Sequence, residues 1–163
     1  IKKINILILS MFAVGGSKYA PGTVASFITS LLFILFYKFQ INIGILIVCV
    51  SLIFIYSVFS IDKYKYFFDE VDSKEIVIDE FVGQSIPILT IYNYIPGYDI
   101  GIFILYTLVS FCLFRLFDIT KPYPINIVDR NMKNGFGVML DDVIAGIYSS
   151  VILLIAISLL LYE

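Results

Sequence analysis

Long apolar segments separated by short polar connections make up most of this chain. Four of them are long enough, or nearly long enough, to cross a hydrocarbon core about 30 Å thick as helices. They lie at residues 21–37, 43–61, 100–117 and 143–162. A fifth segment contains Pro87, which predicts a kinked or broken helix over residues 81–95, with a freed carbonyl group that needs another partner. The pattern predicts an all-α fold, a compact polytopic membrane helix bundle of about five membrane helices.

The apolar segment at residues 4–14 follows Lys2 and Lys3 and is shorter than a membrane-crossing helix requires. Two interpretations are open: a signal peptide with a cleavage site at residues 13–15, or a short or re-entrant helix that stays in the protein. We expect the short helix, which adds an N-terminal helix to a single domain over residues 1–163.

Composition agrees with a membrane protein. Of the 163 residues, 60% are hydrophobic and 15% are charged, and the mean hydropathy is +0.99. A soluble domain of this size cannot hide so much apolar surface from water. The net charge of −2 gives no basic field, so we expect no nucleic acid partner. Because histidine is absent, any catalysis must rest on carboxylates, hydroxyls, lysine, arginine or a hard metal ion.

The basic residues predict the side of the membrane on which the polar loops lie. If the apolar segments form two hairpins and a last span, the loops 15–20, 62–78 and 118–141 share one face and carry seven lysines and arginines. The opposite face carries Lys38 alone. Because cytoplasmic loops of membrane proteins are enriched in lysine and arginine, we expect these three loops to be cytoplasmic.

Five acidic residues are embedded in apolar sequence near the predicted helix ends of that face. They are Asp79, Glu80, Asp118, Asp141 and Asp142. An ionisable group at membrane depth is unfavourable unless it is paired, hydrated or bound to metal, so each is a candidate functional residue. Five clustered carboxylates repel one another, and a divalent cation with oxygen ligands, such as Mg²⁺, offsets that repulsion. The alternative is a set of salt bridges that only holds helices together.

Small residues indicate how these acids come close to one another. Residues 72–75 resemble a capping box, so we expect a helix that runs on from Ser73 and places Asp79 and Glu80 about two turns inside it. Gly83 then lets a neighbouring helix approach the acidic face. In the last helix, a stripe of small residues at helical spacing from Asp142 consists of Ala145, Gly146 and Ser149.

Basic and glycine-bearing segments flank the acids. In residues 15–23, a glycine pair and Lys18 precede a Pro-Gly-Thr turn, where Thr23 and backbone N–H groups can hold an anion at a helix N-terminus. At the end of the helix predicted for residues 100–117, three charged side chains share one side at a spacing of three residues. They are Arg115, Asp118 and Lys121.

Four sequence blocks resemble the phosphatidylglycerophosphatase A family. They are APGTVASF at 20–27, IVIDEFVGQ at 76–84, FRLFDITKPYPI at 114–125 and GFGVMLDDVIAG at 135–146. The resemblance implies a Mg²⁺-dependent phosphatase of the bacterial inner membrane. Such an enzyme removes the terminal phosphate of phosphatidylglycerophosphate to give phosphatidylglycerol, a step of phospholipid biosynthesis. With the loop charges, it implies an active site that faces the cytoplasm and a phospholipid substrate in the bilayer.

Hydrolysis of a phosphate monoester needs neutralised phosphoryl oxygens and an in-line nucleophile. Water activated by a carboxylate-bound metal is the expected nucleophile, because no histidine or phosphoenzyme motif is present. The predicted metal ligands are Asp79, Glu80, Asp141 and Asp142. The predicted catalytic groups are Glu80, Asp118 and Lys121. Of these, Glu80 or Asp118 orients or deprotonates the water. The predicted phosphate-binding residues are Lys18, Thr23, Arg115 and Lys121.

Two rival interpretations give the embedded acids another role. A small ion- or proton-translocating transporter subunit predicts a ladder of carboxylates through the bilayer. A structural scaffold does not need so many acids at membrane depth. The sequence instead groups the acids at helix ends on one side, which favours an enzyme that acts at the membrane interface.

Overall fold

The computed structural model describes residues 2–64, 73–92, 94 and 99–161, and these residues contain seven α-helices and no strand. The helices are α1 (Lys2–Leu9), α2 (Pro21–Lys38), α3 (Ile43–Tyr64), α4 (Ile78–Tyr92), α5 (Ile100–Thr120), α6 (Ile125–Asn131) and α7 (Gly135–Leu161). One turn of 3₁₀ helix, Val14–Gly16, lies between α1 and α2. The predicted all-α fold is confirmed.

Four helices, α2, α3, α5 and α7, are long and apolar enough to cross a membrane. Their outer surfaces are apolar, and α3 leaves Leu52 61% and Phe59 72% exposed, which suits contact with lipid. The fifth predicted membrane helix is α4, whose 15 residues are shorter than a span. Helix α4 packs against α2, α3, α5 and α7. The predicted membrane bundle is confirmed as four helices of spanning length around a shorter, largely buried one.

Helix α4 begins at Ile78, so the prediction that a helix runs on from Ser73 is wrong. The intervening residues form a turn, and the backbone N–H of Val77 donates a hydrogen bond to the Leu9 carbonyl at the end of α1. Asp72, the first residue of the predicted capping box, lies outside the described residues. The acid pair 79–80 therefore occupies the first turn of α4.

Helix α1 is the short N-terminal helix expected from the sequence, and it packs against α3. Leu9 is fully buried, and Asn5 Nδ2 donates a hydrogen bond to the hydroxyl of Tyr64 over 2.7 Å. The turn after α1 lies against the segment that leads into α4. A Cβ atom at Gly15 would lie only 2.0 Å from the Glu75 carbonyl oxygen, so this contact requires glycine.

Helices α4 and α7 cross closely at two glycines. A Cβ atom at Gly146 would lie 2.4 Å from the Gly83 carbonyl oxygen, and one at Gly83 would lie 2.8 Å from the Asp142 carbonyl oxygen. Gly83 is four residues before Pro87, so its carbonyl is the one that Pro87 frees. Helix α4 continues through Pro87 without the predicted break, and the backbone of α7 covers the freed carbonyl.

Helix α7 begins at Gly135, earlier than the apolar pattern predicts, because polar groups cap it there. Asn134 Oδ1 accepts a hydrogen bond from the Gly137 N–H at 2.8 Å, and Asp62 Oδ1 of α3 accepts one from the Gly135 N–H at 2.9 Å. The predicted loop 118–141 therefore contains α6 and the start of α7. The acids of α7 lie in its second turn, next to the start of α4.

Aromatic rings pack together at the end of the bundle away from the acids, where α2 and α4 end and α5 begins. Tyr37 and Phe103 stack with ring centroids 3.8 Å apart, and Tyr92 meets both rings edge-on. The Tyr92 hydroxyl donates a hydrogen bond to the Ile41 carbonyl at 2.9 Å. This packing holds the far ends of three helices and so fixes the directions in which their other ends point.

Candidate active site

Three carboxylates from two helices converge at one end of the bundle. Asp79 and Glu80 come from α4 and Asp142 from α7, and each offers an oxygen within 4.8 Å of the others. Glu80 Oε2 and Asp142 Oδ2 are buried and have no hydrogen-bond partner among the described residues. Buried carboxylate oxygens without a partner are costly, and three carboxylates this close together could serve as oxygen ligands of a divalent cation.

Arg115 of α5 lies beside the carboxylate cluster and is held by a neighbouring acid. Its Nη1 is 2.6 Å from Asp118 Oδ2, one helical turn away, and 3.9 Å from Glu80 Oε1. Arg115 Nε is buried without a hydrogen-bond partner among the described residues. The guanidinium therefore places positive charge next to Glu80 and keeps a donor for an anion.

The fourth predicted ligand, Asp141, faces Lys121. Lys121 ends α5 in the left-handed conformation, with φ of 40°, and its Nζ donates to Asp141 Oδ2 at 2.8 Å and to Asp129 Oδ1 of α6 at 2.7 Å. Burial alone lowers the pKa of Lys121, but the bonds and charges of the two carboxylates outweigh it and raise that pKa above its usual value. Lys121 therefore stays protonated and links α5, α6 and α7.

A pocket of about 500 Å³ opens beside the carboxylate cluster. Glu80 and Arg115, whose side chains are largely buried, line its inner part. The exposed residues Lys18, Lys74 and Glu75 line its outer part, from the two segments that precede α2 and α4. Three of these five side chains are cationic. Thr23 lies in the first turn of α2 but is not among the described residues that line the pocket. The positive charges of these residues attract an anion into the pocket, beside the carboxylate cluster.

The structure brings most of the predicted site residues together but divides them into two groups. The first group contains Asp79, Glu80, Asp142, Arg115 and Asp118, of which Glu80 and Arg115 line the pocket. The second group consists of Lys121, Asp141 and Asp129. Sequence reasoning missed Asp129 because no apolar pattern marks the seven-residue helix α6. It also missed Lys74, which lies in a polar connection where a lysine normally only contacts water.

Gly22 sets the distance between α2 and the cluster, and its replacement gives a direct test. A Cβ atom there would lie 1.9 Å from Glu80 Oε1 and 3.2 Å from Arg115 Nη1. We expect Gly22→Ala to displace the Glu80 carboxylate and to lower phosphatase activity about tenfold or more, since misplacement of a reacting group by about 1 Å can cost that much. Gly101→Ala is the control, because Gly101 lies in the first turn of α5, away from the pocket, and a Cβ atom there would meet only the Asp99 side chain within 4 Å. Equal activity of the two variants would contradict this role of Gly22.

Comparison with known proteins shows the family to which the chain belongs. Residues 7–157 match the family model described as Phosphatidylglycerophosphatase A. The chain belongs to this family. A Phosphatidylglycerophosphatase A of Haemophilus influenzae is 35% identical over 157 residues, which cover 93% of this chain and 91% of that protein. One of Escherichia coli is 38% identical over 82 residues, 50% of this chain and 43% of its own length.

Relatives in the phosphatidylglycerophosphatase A family do not all carry the same name. A protein of Bacteroides thetaiotaomicron, whose name proposes that it is a phosphatidylinositol-3-phosphatase, is 33% identical over 156 residues, 94% of this chain and 93% of that protein. No solved structure matches the chain. Membership confirms the predicted enzyme class, a phosphatase, in a chain with membrane-length helices.

Proposed function

We propose that this protein hydrolyses the terminal phosphate of phosphatidylglycerophosphate in the membrane and so produces phosphatidylglycerol. The observation that carries this proposal is the cluster of Asp79, Glu80 and Asp142, which adjoins a pocket lined by cationic side chains. A phosphate monoester needs both features, because its oxygens carry negative charge that must be neutralised while the P–O bond breaks. The names of two relatives support the substrate.

The cluster fits a bound Mg²⁺, which we propose as the cofactor. Asp79, Glu80 and Asp142 would hold it, and the two buried oxygens without partners, Glu80 Oε2 and Asp142 Oδ2, support this assignment. When bound, the ion supplies positive charge at the phosphoryl group and makes a water molecule more acidic. We assign Asp141 to a supporting role, because its carboxylate is held by Lys121.

The remaining groups bind the phosphate and handle the proton. Arg115 donates to the phosphoryl oxygens, and Asp118 fixes the guanidinium through their 2.6 Å contact. Glu80 is the carboxylate of the cluster that also lines the pocket, so it is in reach of a water that attacks from there. The N–H groups that open α2 add positive potential, with Thr23 in the same turn. Lys121 neutralises Asp141 beside the cluster.

Removal of divalent cations tests this mechanism. We expect purified protein in detergent micelles to release phosphate from phosphatidylglycerophosphate with Mg²⁺ and to lose that activity in excess EDTA. Added Mg²⁺ should restore the rate, because the carboxylates then regain the charge that offsets their repulsion. Full activity in EDTA after dialysis would contradict the metal assignment, and no activity under any condition would contradict the substrate.

The Bacteroides relative supports phosphatidylinositol 3-phosphate as a second candidate substrate. It also carries a terminal monoester on a lipid headgroup. Rates for both lipids with the same acyl chains distinguish the two candidates. We expect the higher kcat/KM with phosphatidylglycerophosphate. A transporter is less favoured, because the buried acids of the described residues gather at one end of the bundle and form no ladder across it.

We further propose that the protein lies in the bacterial inner membrane with its site towards the cytoplasm. Lys38 and Lys133 are exposed and lie on opposite predicted faces. In a background with Cys49 and Cys112 replaced by serine, Lys38→Cys should react with an impermeant thiol reagent in intact cells. Lys133→Cys should react only after the cells are opened. The reverse pattern would place the site outside the cytoplasm.

A further inference from the structure

The outer part of the pocket contains cationic groups that the proposed hydrolysis of a terminal phosphate does not use. Lys74 lies in the turn before α4 and Lys18 in the segment before α2, and both side chains line the pocket. Arg115 and the carboxylate cluster already provide for the terminal phosphate at the inner part. The two lysines therefore leave positive charge for a second anionic group of the same substrate.

The two lysine-bearing segments are joined, so that the lysines form one side of the pocket together. The Gly15 backbone lies against the Glu75 carbonyl so closely that a Cβ atom would be 2.0 Å from the oxygen. Just beyond, the Val77 N–H donates to the Leu9 carbonyl at 3.1 Å. These backbone contacts hold the segment of Lys74 against the segment of Lys18, although the two are far apart along the chain.

Resting on the proposed function, we propose that Lys74 and Lys18 bind the inner phosphodiester of the substrate while the terminal monoester occupies the inner pocket. The ligand class is a phospholipid that carries both a phosphodiester and a terminal phosphate monoester. Phosphatidylglycerophosphate and phosphatidylinositol 3-phosphate share this chemistry, whereas phosphatidic acid carries the monoester alone. Lys74 is thus a specificity residue that selects lipids with a headgroup between two phosphates.

Three lipids with the same acyl chains separate the two subsites in mixed micelles. Phosphatidylglycerophosphate is the substrate, phosphatidylglycerol is a competitor with only the diester, and phosphatidic acid is a competitor with only the monoester. We expect Lys74→Gln to raise the KM of the substrate and the inhibition constant of phosphatidylglycerol about tenfold, the effect of one charge-assisted hydrogen bond. The kcat and the inhibition constant of phosphatidic acid should change little, and Lys74→Arg should keep most of the wild-type affinity.

The control is Lys63→Gln, which removes the same charge from a lysine at the end of α3 that is not among the described lining of the pocket. An equal loss of affinity for both competitors would mean that Lys74 attracts any anionic lipid through its charge and does not bind the phosphodiester, which would overturn the proposal. Unchanged inhibition by phosphatidylglycerol, or none in the wild type, would overturn it as well. Wild-type protein that leaves phosphatidylglycerophosphate intact would instead refute the proposed function, and this inference with it.

Discussion

Replacement of Asp142 with asparagine is expected to lower kcat for phosphate release by about 100-fold or more. Asp142 is 3% exposed, and its Oδ2 has no hydrogen-bond partner among the described residues. The change keeps the shape of the side chain but removes one negative oxygen from the cluster with Asp79 and Glu80. Raising the Mg²⁺ concentration should recover part of the loss, since a weakened site fills again by mass action. Initial rates across a Mg²⁺ titration measure both effects.

Asp99→Asn is the matched control for that variant. Asp99 caps the N-terminus of α5, at the end of that helix away from Arg115. Its side chain accepts hydrogen bonds from the Gly101 and Ile102 N–H groups, and asparagine can accept the same bonds. Its activity should stay near that of the wild type. Thermal unfolding of both variants in detergent separates chemistry from folding, because Asp142→Asn relieves charge repulsion and is not expected to destabilise the fold. Similar losses of activity in both variants would refute a special role for Asp142.

Gly146→Ala is expected to lower the rate of phosphate release about as much as Asp142→Asn does, although residue 146 does not belong to the site. The added Cβ atom would lie 2.4 Å from the Gly83 carbonyl oxygen, which is backbone and has little freedom to move. Helices α4 and α7 must then separate, and Asp142 moves away from Asp79 and Glu80. A shift of about 1 Å between reacting groups can cost about 100-fold in rate. We also expect lower stability, since overpacking typically costs about 1–3 kcal/mol.

The control is Gly101→Ala, a helical glycine at which a Cβ atom would meet only the Asp99 side chain, at 3.2 Å. Alanine favours helix at both positions, so any difference between the variants comes from the crossing of α4 and α7. The rate of phosphate release and the apparent affinity for Mg²⁺ are the measurements. A Gly146→Ala protein with normal values of both would show that the crossing does not position the acids.

The lengths of the apolar segments correctly predicted the four helices of membrane-spanning length, because a hydrocarbon core of given thickness needs a helix of about 20 residues to cross it. Segment length was less informative about where a helix begins when polar groups determine that residue. Asp62 and Asn134 start α7 earlier than its apolar sequence begins, and a hydrogen bond from Val77 to α1 accompanies a later start of α4. These contacts join residues that are distant along the chain, which no local pattern reveals.

In the candidate site, too, the sequence predicted some features correctly and missed those that depend on contacts between distant residues. The cost of burying carboxylates singled out the five acids, and the small residues Gly83 and Gly146 correctly indicated a close approach of helices. Sequence spacing placed Lys121 in line with Arg115 and Asp118, but its left-handed backbone directs it towards Asp129 and Asp141. A helical register cannot be extended past the residue at which the helix ends.

The union of α4 with α7 has a consequence for how the protein is made. The acids of α4 leave the ribosome long before Asp142, because α5 and α6 lie between them in the chain. Until α7 enters the bilayer, the acids of α4 lack Asp142, and the Gly83 carbonyl of α4 lacks the helix that covers it. The site therefore cannot form before α7 is in place. A chain that ends before α7 would leave the Gly83 carbonyl and the Asp79–Glu80 pair without the helix that packs against them.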